Sequence, residues 1–371
     1  MTTIDIHILQ TVPPSNVNRD DTGSPKTAMF GGTTRARVSS QAWKRATRKA
    51  FQQTFDSAEL GVRTKRVVEL VAEEIARLEP AAADRAVEMA GSVLTAAGIK
   101  LTAPKLKKEE AQTPDESGYL LFLARHQVTQ LAELAISGEG STIDKKAAKA
   151  AADHSHSVDI ALFGRMVADD AELNVDASAQ VAHALSVHQV ENEFDYFTAV
   201  DDRKADAEET GAGMIGTVEF NSSTLYRYAT VNVNGLRESL GDDAATVRAV
   251  AEFIRALVTS MPTGKQNTFA NRTLPDAVVV QIRETQPINL VGAFEEAIVT
   301  GPGESRVGIA AQRLVDHALL IDKSYGTTPV ASFVVTAHPA AQPLAQLGDS
   351  VDLSTMVTHI EATVSQLWSS S

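Results

Sequence analysis

The chain contains no cysteine among its 371 residues. Disulfides, thiolate metal sites and cysteine nucleophiles are therefore excluded. It also lacks any run of about 20 apolar residues, the length that a membrane-spanning helix needs. Its first ten residues, MTTIDIHILQ, have neither the basic region nor the apolar run of a signal peptide. These absences predict a cytoplasmic protein that has no contact with a membrane.

Aromatic residues are scarce, at 5% of the chain. No stretch follows the order basic, Gly, aromatic, Gly or Ala, Phe, which is typical of sheets that stack unpaired bases. Any nucleic acid is therefore expected to be held mainly by its sugar–phosphate backbone. Such contacts carry no sequence information, so the expected binding is strong and has little sequence preference.

Basic residues are concentrated in one short segment of an otherwise acidic chain. The net charge is −13 overall, but residues 19–49 carry +6, because eight basic residues are opposed only by Asp20 and Asp21. The remaining residues therefore carry −19. This distribution fits one anionic groove with repulsion elsewhere, and it also fits a solvated basic helix face. The eight basic residues are Arg19, Lys26, Arg35, Arg37, Lys44, Arg45, Arg48 and Lys49.

Local patterns predict the elements around this segment. Residues 3–10 alternate isoleucines with polar side chains, which predicts a strand with one buried face. A loop rich in Gly, Pro and Asp is expected from Pro13 to Gly32. A helix is expected over residues 40–56, with Ser39 or Ser40 as its N-cap.

The rest of the chain predicts an α+β fold. Residues 60–180 have helical spacing and are interpreted as a helical insertion, and residues 201–217 are interpreted as an exposed hairpin or flap. The order β, α, insertion, β, β, α, β is that of a ferredoxin-like sheet whose halves an insertion separates. The later elements are expected near the end of residues 181–199 and at Tyr226–Val233, Ala244–Met261, Val278–Arg283 and Ala331–Thr336.

The basic segment has features that suit phosphate binding. A helix N-terminus offers unpaired N–H groups and a partial positive charge, and Gly31 and Gly32 would let the backbone approach a ligand closely. Along the helix, a row of donors about one turn apart can follow successive phosphates. The row consists of Gln41, Lys44 and Arg48, and Arg45 and Lys49 flank it.

Several motifs resemble those of the CasC family, the backbone subunit of the type I-E CRISPR complex Cascade, within the RAMP superfamily. The resemblance begins with NRDDTGSPKTAMFGG and RARVSSQAWKRATRK in the basic segment. It continues through VDIALFGRM, YFTAVDD, YRYATVNV and PTGKQNTFA. These motifs span most of the chain, and residues 60–150 are the stretch where the likeness is only one of general helical character.

The resemblance implies a hand-shaped molecule. An RRM-like palm would comprise residues 1–59, 181–196 and 221–371, helical fingers residues 60–180, and a hairpin-like thumb residues 197–220. Several copies would pack in a row along one CRISPR guide RNA, leaving its bases free to pair with a target DNA strand. Other Cascade subunits would be further partners, and neither a cofactor nor catalysis is implied.

The resemblance also implies roles for individual residues. Met166, with Phe197 or Val200, would flank a guide nucleotide that the thumb displaces, although apolar side chains at these positions could instead belong to the core. The guide backbone would be held by Arg19, Lys26, Ser39, Gln41, Lys44 and Arg48.

Three features allow other interpretations. Asp20 and Asp21 could bind Mg²⁺ in a metal-dependent RAMP endoribonuclease, although two carboxylates usually need further oxygen ligands. The run from His154 to His156, together with Asp159, could hold a metal, although no third ligand stands at a convincing spacing. Lys265 does not belong to a P-loop, and its loop either contacts RNA or a neighbouring subunit or is a plain turn.

Overall fold

The computed structural model describes residues 1–104, 113–138, 143–153, 156–167, 173–199 and 214–369. These residues form two compact units. Unit 1 consists of Met1–Ala50, Val181–Asn232 and Val250–Ser371, and unit 2 consists of Phe51–Gln180 and Val233–Ala249.

The strands, numbered along the chain, are β1 (Thr3–Ser15), β2 (Thr27–Phe30), β3 (Thr33–Val38), β4 (Gly61–Thr64), β5 (Leu101–Thr102), β6 (Glu116–Ser117), β7 (Leu121–Ala124), β8 (Ala179–Val181), β9 (Ala184–Ser186), β10 (Glu193–Ala199), β11 (Met214–Asn232), β12 (Ala277–Arg283), β13 (Ala331–Thr336) and β14 (Asp349–Ser350). The α-helices are α1 (Ser40–Ala50), α2 (Val67–Leu78), α3 (Ala86–Ala96), α4 (Arg125–Ser137), α5 (Lys145–Asp153), α6 (Val158–Phe163), α7 (Val233–Leu240), α8 (Asp243–Thr259), α9 (Gln266–Phe269), α10 (Arg306–Tyr325) and α11 (Leu353–Ser369).

Unit 1 is built on a large, mostly antiparallel sheet. Its strands follow the order β14-β13-β12-β1-β11-β9-β3-β2, and only the β13–β14 pair is parallel among these registers. β10 pairs antiparallel with the N-terminal half of β11, from Glu193 opposite Phe220 to Ala199 opposite Met214. The predicted mixture of strands and helices is confirmed, and β12, β13 and α8 lie within two residues of their expected bounds.

The first expected strand is longer and more deeply buried than its pattern indicates. β1 extends to Ser15, and its polar residues Asp5 and His7 are as buried as its isoleucines. Both faces of β1 are therefore covered, and the expectation of one buried face is wrong. Alternating polarity suggested an exposed face, whereas the polar side chains lie inside the protein in hydrogen-bonded groups.

One of these groups is a buried ion network. The guanidinium of Arg283 lies 3.2 Å from Oδ2 of Asp5 and 2.9 Å from Oδ1 of Asp322, and it also donates to the carbonyl of Thr327. The hydroxyl of Tyr228 donates to Asp5 at 2.7 Å. The network joins β1, β11 and β12 to the C-terminal end of α10, and each buried charge has a partner.

Two further expectations near the basic segment need correction. Residues 27–30 are not part of a loop, because β2 pairs with β3 in a hairpin that turns at Gly31 and Gly32. The helix expected over 40–56 ends as an α-helix at Ala50.

Unit 2 contains α2 to α7, part of α8, and two short ribbons, β4–β7 and β5–β6. An aliphatic cluster from α2, α3, α4 and α5 forms its core, and Val71, Val93 and Leu131 are almost completely buried there. In the part of the chain that the structure describes, no helix is long and apolar enough to cross a membrane.

Candidate nucleic-acid interface

The loop that joins β1 to β2 is ordered by its own side chains. Asp20 Oδ1 accepts hydrogen bonds from the backbone N–H groups of Thr22 and Ser24, at 2.9 and 3.0 Å, and from the Thr22 hydroxyl at 2.7 Å. Asn16 donates to the carbonyl of Gly23 at 2.9 Å. Arg19, which forms an antiparallel bridge with Pro25, is therefore presented from a stable turn.

Helix α1 begins directly against this loop. The Ser39 hydroxyl oxygen accepts from the N–H of Ala42 at 3.4 Å, and the N–H of Ser39 donates to the Asn18 side chain at 2.8 Å. Ser39 is therefore the N-cap, as one of the two predicted alternatives proposed. The Asn18 bond fixes the loop relative to the helix N-terminus.

The inner face of α1 rests on a buried arginine. The guanidinium of Arg227, on β11, lies 3.6 Å from the centre of the Trp43 ring. The same guanidinium donates to Gln10 Oε1 at 2.6 Å and to the Leu257 carbonyl at 2.5 Å. The strand β11 and the C-terminal part of α8 thus hold the helix through one cation and one aromatic ring.

Basic residues from three segments meet at a cleft of about 600 Å³ in unit 1. Arg45 and Lys49 come from α1, Arg19 from the β1–β2 loop, and Lys265 from the segment before α9. Two acidic side chains, Asp20 and Asp21, line the same cleft, and the cations outnumber them. The structure therefore brings four of the predicted site residues together.

The other predicted residues of α1 lie outside this cleft. Gln41 is exposed, and Lys44 and Arg48 are half-buried on the neighbouring helix face. Burial lowers the pKa of Lys44 below its usual value. Lys26 lines a separate shallow depression next to the cleft.

The segment that carries Lys265 packs closely on the β1–β2 loop. A Cβ added to Gly264 would overlap the carbonyl group of Val17. Asn271 donates to the Gly264 carbonyl at 3.3 Å, and Lys265 itself has a left-handed backbone, with φ of 49°. This segment therefore forms one wall of the cleft.

Two members of the basic segment have structural roles. Arg35 is fully buried, and its guanidinium donates to the carbonyls of Ser186, Phe294 and Glu295. Gly31 lies against the backbone of Glu295, where a Cβ would overlap the carbonyl oxygen. The expectation that Gly31 brings the backbone close to a ligand is wrong, because the close approach is to the protein itself.

The carboxylates that suggested metal chemistry are engaged in local structure. Bonds from Thr22 and from the loop backbone lower the pKa of Asp20, and Asp159 accepts from the N–H of Gly61 and from the Ser157 hydroxyl. Across the ranges that the structure describes, no three His, Asp or Glu residues are grouped to hold a metal ion. His154 and Ser155 lie outside the described residues.

The expected wedge residues are placed as follows. Met166, in unit 2, is 84% exposed, so it is not a core residue. Phe197, in unit 1, lies on β10 over Gly216 of β11 and is 38% exposed. Val200 lies outside the described residues.

Several residues of the interface have no signal in the sequence. Asn16 and Asn18 are ordinary turn residues by pattern, and nothing local shows that Asn18 contacts Ser39. Arg227 lies in a strand pattern more than 180 residues from Trp43. These contacts are visible only in the folded chain.

The protein is an α+β protein with a basic cleft beside a capped helix, and chains of known structure share its fold. A chain of a solved CRISPR RNA-guided surveillance complex, in a pre-nicking state, is 34% identical to this chain with a TM-score of 0.82. The match covers 96% of this chain and 100% of the other. A chain from a second CRISPR RNA-guided surveillance complex is 30% identical with a TM-score of 0.70, and 96% and 99% are covered. No curated relative matches.

These two similarities extend over nearly the full length of all the chains concerned. The chain is therefore homologous to subunits of CRISPR RNA-guided surveillance complexes. It belongs to the family of CT1975-like proteins, whose model matches residues 4–359.

Proposed function

We propose that this protein is the non-catalytic RNA-binding backbone subunit of a type I-E CRISPR complex, in the manner of the CasC family. Copies of it polymerise along a guide RNA, hold the phosphate backbone and leave the spacer bases free to pair with a target DNA strand in antiviral defence. The observation that carries this proposal is the homology to surveillance-complex subunits over 96% of the chain. The basic cleft supplies the cations that would bind the phosphates of the guide RNA.

The strand order supports an RRM-like palm. β12, β1, β11 and β9 are consecutive in the sheet, which is the arrangement of a βαββαβ unit whose last strand lies beside its first. In this proposal residues 60–180 are the fingers and residues 197–220 the thumb. The ladder between β10 and β11 supports a hairpin for the described part of the thumb.

The cleft suits a sugar–phosphate backbone better than bases. Arg19, Arg45, Lys49 and Lys265 provide point charges and a guanidinium geometry that matches phosphate. None of the residues that line the cleft is aromatic, so it offers no stacking platform. Such a site retains guides of any sequence.

The remaining predicted residues extend this contact. Lys26, Ser39, Gln41, Lys44 and Arg48 continue the grip along the loop and helix, and Met166 with Phe197 or Val200 flanks the displaced nucleotide. Further copies of the chain and the other Cascade subunits are the protein partners.

RNA cleavage by Asp20 or Asp21 is the alternative function, and the loop geometry disfavours it. One oxygen of Asp20 already accepts three hydrogen bonds from its own loop. Bidentate binding of Mg²⁺ by Asp20 would require this arrangement to change. Incubation of the assembled complex with complementary RNA and Mg²⁺ is expected to leave the RNA intact.

Sequencing of the RNA that co-purifies with the protein tests the main proposal. Expressed with the other subunits and a CRISPR array, the wild type should retain guide RNA, and Arg45→Glu/Lys49→Glu should lose it because the cleft becomes negative. Lys44→Glu/Arg48→Glu should also lose it if the neighbouring face holds RNA.

A matched pair of variants controls for charge alone. Lys49→Glu and Lys323→Glu change the net charge equally, and Lys323 is an exposed residue of α10. Only Lys49→Glu should reduce guide retention. Retention of random cellular RNA by the wild type, or equal loss in both variants, would contradict the proposed function.

A further inference from the structure

Lys26, Arg37 and His183 form a second basic group in unit 1. Arg37 lies on β3, where its Nε donates to the Thr27 carbonyl at 3.1 Å and its Nη1 lies 3.2 Å from Nδ1 of His183. A guanidinium is protonated at every ordinary pH, so Arg37 is the donor and Nδ1 of His183 the acceptor. The imidazole is then neutral and carries its proton on Nε2.

The group offers several donors to one ligand. The two bonds use two of the five guanidinium N–H groups of Arg37 and fix the plane in which the others lie. Burial, followed by the charges of Arg37 and Lys26, lowers the pKa of His183. The three side chains are therefore within electrostatic reach of each other, and a bound anion would relieve the repulsion between the two cations.

The group and the basic cleft are neighbours. Lys26 and Arg37 line a small depression of about 20 Å³, and Val17 and Asn18 line both this depression and the cleft. The two sites therefore share one wall, which is the loop segment that Asn18 ties to α1. A single extended anion can pass over this segment from one site to the other.

We propose that Lys26, Arg37 and His183 bind a further phosphate of the RNA that occupies the cleft. Arg37 is the charged contact, and His183 is a positioning residue that orients the guanidinium. The inference rests on the proposed function and adds Arg37 and His183 to the residues that hold RNA. A guanidinium held in plane matches two phosphate oxygens, which a mobile side chain does only at an entropic cost.

Salt-dependent binding of a fluorescein-labelled single-stranded RNA by the full chain tests this inference. Each phosphate contact contributes about 0.7 to the slope of log K against log salt concentration. Arg37→Gln should therefore reduce the slope by about 0.7 and weaken binding about threefold to tenfold at low salt. Arg37→Lys keeps the charge and should keep the slope.

The His183 variants separate orientation from charge. His183→Ala should weaken binding several-fold without changing the slope, because it removes the acceptor for Arg37 but no charge. His183→Gln retains an acceptor oxygen and should restore most of the affinity. Thermal unfolding of each variant identifies any that fails to fold. The affinities and salt slopes of the conservative variants Arg37→Lys and His183→Gln then decide whether the group binds phosphate.

The results distinguish the two proposals. If the wild type binds RNA and Arg45→Glu/Lys49→Glu does not, while Arg37→Gln keeps the wild-type slope, the inference is overturned and the proposed function stands. If the wild type binds no RNA, both fail.

Discussion

Arg227 packs beneath helix α1 and supports Trp43. Its buried guanidinium stacks on the Trp43 ring and donates hydrogen bonds to the Gln10 side-chain oxygen and the Leu257 carbonyl. Burial lowers its pKa to about 9. A buried charge is costly unless it is paired, so Arg227 needs these three partners in the folded state. Removing Arg227 would leave the two buried acceptors without this donor.

We expect Arg227→Ala to lower the free energy of unfolding by about 3–5 kcal/mol, because it leaves a cavity beneath Trp43 and deprives Gln10 and the Leu257 carbonyl of their donor. Urea unfolding measures the change. Arg66→Ala is the control, since Arg66 forms an exposed ion pair with Glu69 and should cost less than about 1 kcal/mol. Equal effects in the two variants would show that Arg227 does not support the helix.

His188 makes the stability of unit 1 dependent on pH. Its Nδ1 bonds to the Gln189 carbonyl and its Nε2 accepts from the N–H of Thr224, at 2.8 and 3.2 Å. Burial lowers its pKa to about 4 from 6.5. The folded state therefore resists protonation, and the stability that is fully present above pH 6.5 is lost as the pH falls toward 4.

At about pH 4.5 this loss should reach about 2–3 kcal/mol relative to neutral pH. His188→Gln keeps an acceptor and does not titrate, so its unfolding free energy should fall less over the same range. Denaturant unfolding at pH 7 and pH 4.5 provides the comparison, and identical pH profiles would rule out this source of acid sensitivity.

At the scale of elements, the walls of the cleft are held together by close backbone packing. Gly264→Ala would force the segment before α9 away from the carbonyl of Val17, and we expect a loss of about 1–3 kcal/mol in stability together with weaker RNA binding. Gly118→Ala is the control, because a Cβ there meets no atom within 4 Å. Melting temperature and RNA affinity should both fall only for Gly264→Ala.

Helices and strands could be predicted from the sequence where apolar residues recur at regular helical or strand spacing. The sequence predicts β12, β13 and α8 to within two residues of their bounds, and residue type narrows the N-cap of α1 to Ser39 or Ser40, of which the structure selects Ser39. The basic segment was also found, but its members could not be separated by pattern, because Arg35 is buried in the protein and Arg45 lines the cleft. Helical spacing favours the row of Gln41, Lys44 and Arg48, with Arg45 and Lys49 beside it, whereas in the structure Arg45 and Lys49 line the cleft.

The same limit explains the errors. The sequence predicts a loop over the residues of β2 because this strand is short and Gly31 and Gly32 signal a turn of any kind. The polar alternation of β1 suggested solvent, although Asp5 has its partners on β12 and β11. Partners that are distant in sequence leave no local trace.

At the scale of the whole molecule, a basic cleft in a chain of net charge −13 should confine RNA to one track. The four cations of the cleft should contribute about −3 to the slope of log K against log salt concentration. Arg45→Gln/Lys49→Gln should reduce its magnitude by about 1.4, as fluorescence anisotropy between about 50 and 200 mM salt can measure. An unchanged slope would place the RNA elsewhere on the protein.

The position of β1 in the sheet also determines when the protein can fold. Its two neighbours are β11 and β12, which leave the ribosome on the order of 10 to 50 s after β1 at ordinary rates of synthesis. Until then this buried strand has neither of its partners, whereas residues 51–180 of unit 2 are contiguous and can form contacts early. We therefore expect nascent unit 1 to leave a strand unpaired for longer than residues 51–180 do, which favours aggregation when translation is slow.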